Sequence, residues 1–164
     1  MPSSPAMHGT TRRLAAAVLA AALIATAAGC GDDSEQLDAA ELVSQGDELC
    51  REGQERFAKI QESELVNAKD AVEQTGELVD VASDELDELR SLQPPDELRA
   101  DYDAYLAARV AALELLEEGR AAAAERDAAG YSKAQAEVGA GAAERRRLAR
   151  AVGFEVCSQA PKGG

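Results

Sequence analysis

Aromatic residues are scarce in this chain of 164 residues, with no Trp, two Phe and three Tyr. The 46% hydrophobic content therefore rests mainly on Ala, Leu and Val. A core of such residues leaves little room for a large internal cavity. Histidine is nearly absent; the one copy is His8, close to the N-terminus. Positive charge is in deficit, with 17 Lys and Arg against 31 Asp and Glu, a net of −14. A surface this acidic repels a phosphate backbone, which argues against nucleic acid as a partner. No GxGxxG run opens a helix after a strand, and there is no Walker loop, so nucleotide sites lack sequence support. No run of β-branched residues suggests a sheet. Long apolar runs are also missing, apart from one near the N-terminus.

That one run has the form of an export signal. Arg12 and Arg13 precede Leu14–Ala28, an uncharged stretch of 15 residues. As a helix it reaches only about 22 Å, short of a hydrocarbon core of about 30 Å. It suits the apolar region of a signal peptide better than a permanent span. Thr11-Arg12-Arg13-Leu14 vaguely resembles a twin-arginine signal, so two export routes stay open, and translation from Met7 would leave the reading unchanged.

The run ends in Ala27-Ala28-Gly29-Cys30, followed by Gly31-Asp32-Asp33-Ser34-Glu35. These residues resemble the lipobox of bacterial lipoproteins. The resemblance implies that residues 1–29 are a signal peptide removed just before Cys30. It also implies that the Cys30 thiol carries a diacylglyceryl group with fatty chains such as palmitate. Ala28 and Gly29 supply the small residues the peptidase requires; Ala27 departs from the Leu the family prefers. The bland alternative is a secretory signal with a chance Cys. Two acyl chains give stable anchoring where one is marginal. The implied location is the outer face of the cytoplasmic membrane, with the lipid bilayer as one partner. Loss of residues 1–29 removes His8, Arg12 and Arg13, leaving 15 bases against 31 acids, a net of −16. Without His, imidazole metal sites and Ser-His or Cys-His nucleophile pairs are excluded.

Three Cys are present. If Cys30 carries lipid, Cys50 and Cys157 remain, and in an exported domain such a pair reads as a disulfide. It would close a loop of 107 residues, for which chain entropy gives about 4–5 kcal/mol. A reactive thiol pair is the alternative. A metal site would fall short of ligands.

After a flexible tether at 30–38, the chain reads as four amphipathic helices. The first is expected at about 38–61, with Leu42, Gly46, Leu49, Cys50, Gly53, Phe57 and Ile60 on one stripe. The second is expected at about 64–91, on a seam from Leu65 through Val72, Val79 and Leu86 to Leu89. Pro94-Pro95 ends it. The third begins near Pro95–Glu97 and runs to about Arg126. Asp127 caps the fourth, at about 128–151, and Gly153 closes it before Phe154 tucks back. Short turns then predict an all-α, antiparallel up-down-up-down four-helix bundle over 39–157, with a disordered tail at 158–164.

Several charged and aromatic groups invite a chemical reading. Asp84-Glu85-Asp87-Glu88 lies on a helix, which fixes cations poorly, so a solvated face is favoured. Residues 32–103 hold 23 acids and six bases, whereas 104–164 hold eight and nine. Arg145, Arg146 and Arg147 belong to the second group; they serve the helix dipole or grip an anion. Tyr102 and Tyr105 share a helix face, either as packing or, with Arg145–Arg147, as the lining of a small ligand pocket. Ser132-Lys133 are adjacent and diverge on a helix, so they form no nucleophile pair. No catalytic constellation, cofactor or metal is expected.

The mature region also resembles small helical lipoproteins of high-GC Gram-positive bacteria. The likeness rests on Cys50 in helix one, Leu92-Gln93-Pro94-Pro95, Tyr102-Asp103-Ala104-Tyr105-Leu106 and Gly153-Phe154-Glu155-Val156-Cys157. It implies location and architecture, not chemistry. The expected role is a non-enzymatic interaction module presenting an acidic helical face to an envelope protein or polymer. The second expectation is a carrier of a small ligand or cation. Heptad seams also serve self-association, so the oligomeric state stays open.

Overall fold

The computed structural model describes residues 36–160. Cys30, the signal segment and residues 161–164 lie outside the described residues. Those described form five helices: α1 (Ala39–Gln61), α2 (Ala68–Ser91), α3 (Arg99–Ala124), α4 (Ala128–Ala140) and α5 (Ala142–Val152). They contain no strand. α1 packs on α2, α2 on α3, and α3 on both α4 and α5. The fold is an all-α four-helix bundle whose fourth helix is α4 plus α5. None of these helices is long and apolar enough to cross a membrane.

Local chemistry sets the boundaries. Asp38 caps α1 by accepting from the Glu41 amide, and Glu41 accepts in return from the Asp38 amide. α2 starts later than the seam suggests. Asn67 accepts from the Lys69 and Asp70 amides while Asp70 accepts from the Asn67 amide, and this capping box fixes the start at Ala68. Leu65, expected on the seam, is consequently in the connection and 45% exposed, beside Val66 at 80%. Pro94 and Pro95 are followed by a turn, in which the Leu98 amide donates to the Pro95 carbonyl, so α3 begins at Arg99. Asp127 caps α4 as expected, accepting from the Ala129 and Gly130 amides. Gly153 closes α5 at φ 102°, a left-handed conformation that favours glycine.

The expected single fourth helix is divided at Gly141. Arg145 Nη2 donates to the Val138 carbonyl at 2.8 Å. In an unbroken helix that oxygen accepts from the amide of residue 142. A side chain inserted into the ladder beside a glycine is a recognised cause of such a break.

The core has two apolar clusters. One gathers Leu42, Leu89, Tyr102, Tyr105, Ala149, Val152 and Phe154. The other gathers Val79, Ala82 and Leu116, with Phe57, Leu113 and Val138 against them. Phe154 meets Tyr102 and Tyr105 edge-on, with ring centroids 6.1 and 5.5 Å away. The ends of the domain are more firmly held than the sequence suggests. The Leu37 amide donates to the Gln93 carbonyl, and Gln36 donates to Pro94 and Asp96. Ser158 and Gln159, expected in a disordered tail, bond to Glu155 and Val156.

Candidate functional site

The chemically richest region lies between the two clusters, where α1, α2, α3 and the segment after α5 converge. Cys50 on α1 and Cys157 are joined by a disulfide, with Cα atoms 5.2 Å apart. Cys50 is 3% exposed, whereas Cys157 is partly exposed. The Tyr105 hydroxyl lies 3.5 Å from Cys50 Sγ. A disulfide sulfur carries no proton, so the hydroxyl is the donor. Arg109 lies one helical turn further along α3, where its charge acts on the Tyr105 phenol. Arg109 then bridges to Glu85 of α2 at 2.6 Å. The result is a polar relay from Glu85 through Arg109 and Tyr105 to the disulfide.

Both ions of the pair are withdrawn from solvent: the Glu85 side chain is 7% exposed and that of Arg109 21%. Burial pushes the Glu85 carboxyl above its ordinary value, with Arg109 pulling against it. Burial opposes the Arg109 charge, yet Glu85 and Tyr105 together hold its pKa high. Burial also raises the Tyr105 phenol. Gly53 makes room for the carboxylate: a Cβ there would sit 2.5 Å from Glu85 Oε2. Gly46 does the same for the Phe154 ring. Each of these two glycines admits a side chain from a neighbouring segment.

Asp47 holds the last segment in place. Its carboxylate accepts from the amides of Glu155 at 2.9 Å, Val156 at 2.8 Å and Cys157 at 3.3 Å. Gln54 adds a bond to the Val156 carbonyl. The disulfide is thus one of several ties between this segment and α1.

The candidate ligand-lining residues are not gathered around one pocket. Tyr102 and Tyr105 are each 1% exposed and spent in packing. The Tyr102 hydroxyl donates to the Leu89 carbonyl at 2.5 Å, near the C-terminal end of α2. Arg145 turns back onto Val138, and burial, then the charges of Arg109 and Arg146, lowers its pKa. Arg147 is exposed and paired with Glu144. Arg146 is partly buried on the same helix. The acidic run of α2 also divides: Asp84, Asp87 and Glu88 face solvent, but Glu85 is in the core. The expectation of a solvated face fails for that one residue.

Two shallow grooves run between α1 and α2. One is lined by Arg56, Lys59, Ile60, Ser63, Glu77, Asp80 and Val81. The other is lined by Ser44, Gln45, Glu48, Leu49, Glu88, Ser91 and Leu92. Among the described residues, no group of three or more His, Cys, Asp and Glu is placed to hold a metal ion.

Sequence reading missed Glu85, Arg109 and Asp47. A signal existed for the first two. Glu85 sits on the α2 seam between Ala82 and Leu89, and Arg109 lies between Tyr105 and Leu116 on the α3 stripe. Opposite charges on facing stripes of adjacent helices are the pattern of a buried ion pair. Asp47 had no such signal, because its partners are backbone amides more than 100 residues away. Compared with protein-family models the chain has no match, and comparisons with curated proteins and with solved structures give none either.

Proposed function

We propose that this chain is a lipid-anchored protein of the outer face of the cytoplasmic membrane, acting as a non-enzymatic helical interaction module. The observation that carries the location is Ala28-Gly29-Cys30, set between an apolar run and an acidic tether. The Cys50–Cys157 disulfide supports it, since such bonds persist in oxidising compartments. The interaction role draws on the surface. Glu52, Glu55, Glu73, Glu77, Asp80 and Asp84 on α1 and α2 are all exposed. Arg56 pairs with Asp84 and Lys69 with Glu73, yet acids outnumber bases on this face, which suits a basic envelope protein or polymer. Such a field speeds encounter with a cationic partner and weakens as salt rises.

Five residues, Gly31 to Glu35, separate Cys30 from Gln36, which is bonded to the α2–α3 connection. Fully extended, that stretch keeps the connection within about 20 Å of the anchor. The test is cross-linking of the full chain in its own membrane. Reversing Glu73, Glu77, Asp80 and Asp84 to Lys is expected to abolish the cross-linked product while the chain stays membrane-bound. A product that survives the reversal would sink the charge-based role, and a chain that washes off the membrane would sink the anchor.

A further inference from the structure

We propose that the Cys50–Cys157 disulfide is a directional thiol-exchange site, entered at Cys157 by an external low-molecular-weight thiolate, with Cys50 as the leaving sulfur. Two independent features set the direction. The first is access. A thiolate must approach the attacked sulfur from the side opposite the S–S bond. Each sulfur has one polar neighbour at 3.5 Å, Tyr105 on Cys50 and the Gly46 carbonyl on Cys157, but Cys50 is 3% exposed whereas Cys157 is partly exposed in the final segment.

The second feature is stabilisation of the departing charge. In the exchange, the incoming sulfur bonds to Cys157 Sγ, the Cys50–Cys157 bond breaks, and its electron pair leaves on Cys50 as a thiolate. No net oxidation occurs in this step; the negative charge passes from reagent to Cys50. The Tyr105 hydroxyl already points a donor at that atom, and Arg109 polarises the hydroxyl from behind. A leaving thiolate stabilised in this way departs faster. A second external thiolate then attacks its predecessor in the mixed disulfide. It leaves as the oxidised reagent and releases Cys157 as a thiolate, completing a two-electron reduction.

Opening does not free the final segment. Asp47 still accepts three amides, Gln54 still holds Val156, and Phe154 remains seated over Gly46. Cys157 is thereby kept beside Cys50, which favours rapid reclosure. Read in reverse, oxidation places the mixed disulfide on Cys157 and uses Cys50 as the resolving thiolate. The site is thus built for reversible exchange, a property distinct from the stabilising effect of a staple.

The test treats the full oxidised chain in detergent with a limiting amount of glutathione, followed by acid quenching, denaturation and peptide mapping. Glutathione is expected on Cys157 and a free thiol on Cys50. Tyr105→Phe keeps the ring against Phe154 but removes the donor, and is expected to slow opening about threefold to tenfold. Tyr102→Phe, which removes the other buried phenol hydroxyl, leaves the rate unchanged. The same Tyr105→Phe change raises the pH at which Cys50 ionises in the reduced Cys157→Ser chain, followed by thiolate absorbance, a readout that packing alone does not move. Glutathione on Cys50, an unchanged rate in Tyr105→Phe, or opening only at the rate of global unfolding would each overturn the proposal.

Discussion

Glu85 and Arg109 are the two residues on which the core's chemistry turns. Removing one partner strands the other charge away from water, whereas replacing both leaves an apolar contact. Arg109→Met is therefore expected to lower stability by about 3 kcal/mol, and Glu85→Met with Arg109→Met to recover most of it. Urea denaturation of the four members of this cycle checks the claim; additive losses would contradict it. Glu85 also leaves a mark on pH dependence. Its folded pKa is raised above the ordinary 4.5, so the folded state holds this proton to higher pH than the unfolded chain. The contribution of this group to stability is full below about pH 4.5 and declines as pH rises through the folded value. Glu85→Gln abolishes that decline, and denaturation curves that run parallel to wild type between pH 4.5 and 7 would refute the assignment. Thr75 behaves differently. Its hydroxyl is buried with no hydrogen-bond partner among the described residues. Thr75→Val is expected to raise stability by about 1 kcal/mol, measured by the shift in urea midpoint. Glu85 and Arg109 were marked only by their places on the seams of α2 and α3, in a sequence crowded with acids. The fate of any one carboxylate depends on which helix faces it, and periodicity alone does not supply that.

The elements themselves were more legible, because caps and breakers act locally. Asp38, Asp127, Pro94-Pro95 and Gly153 mark boundaries close to where they were expected. Two departures have physical reasons. The α2 seam extends back to Leu65 in the sequence, but the Asn67–Asp70 capping box outweighs it. The fourth helix divides because Arg145 takes the Val138 carbonyl next to Gly141, a side-chain competition that the apolar period does not register. The α3–α4 turn offers a direct test of cap and backbone terms. Arg126 is a non-glycine residue at φ 59°, a conformation that costs an L-residue about 1–2 kcal/mol. Arg126→Gly is expected to recover about 1 kcal/mol, while Asp127→Ala loses about 1 kcal/mol with its cap. Thermal unfolding that moves both variants in the same direction would show that the turn is not governed by these local terms.

At the scale of the molecule, the features fit one design: an all-helical bundle, closed by a 107-residue disulfide loop, at the end of a short acidic tether. The architecture was readable because amphipathic periods and short turns leave few alternatives for a chain of this length. The Cys50–Cys157 pair was readable by elimination, once Cys30 was given to lipid. The site was not: it is assembled from residues 47, 85, 105 and 109 and the segment at 154–157, which only packing brings together. The central claim is that Cys30 is the anchor and that Cys50 and Cys157 are oxidised together. It is tested most directly by the intact mass of the protein extracted from its own membrane. The account predicts a chain beginning at Cys30, heavier by a diacylglyceryl group and lighter by two hydrogens. A mass without lipid, or one retaining residues before Cys30, would contradict it.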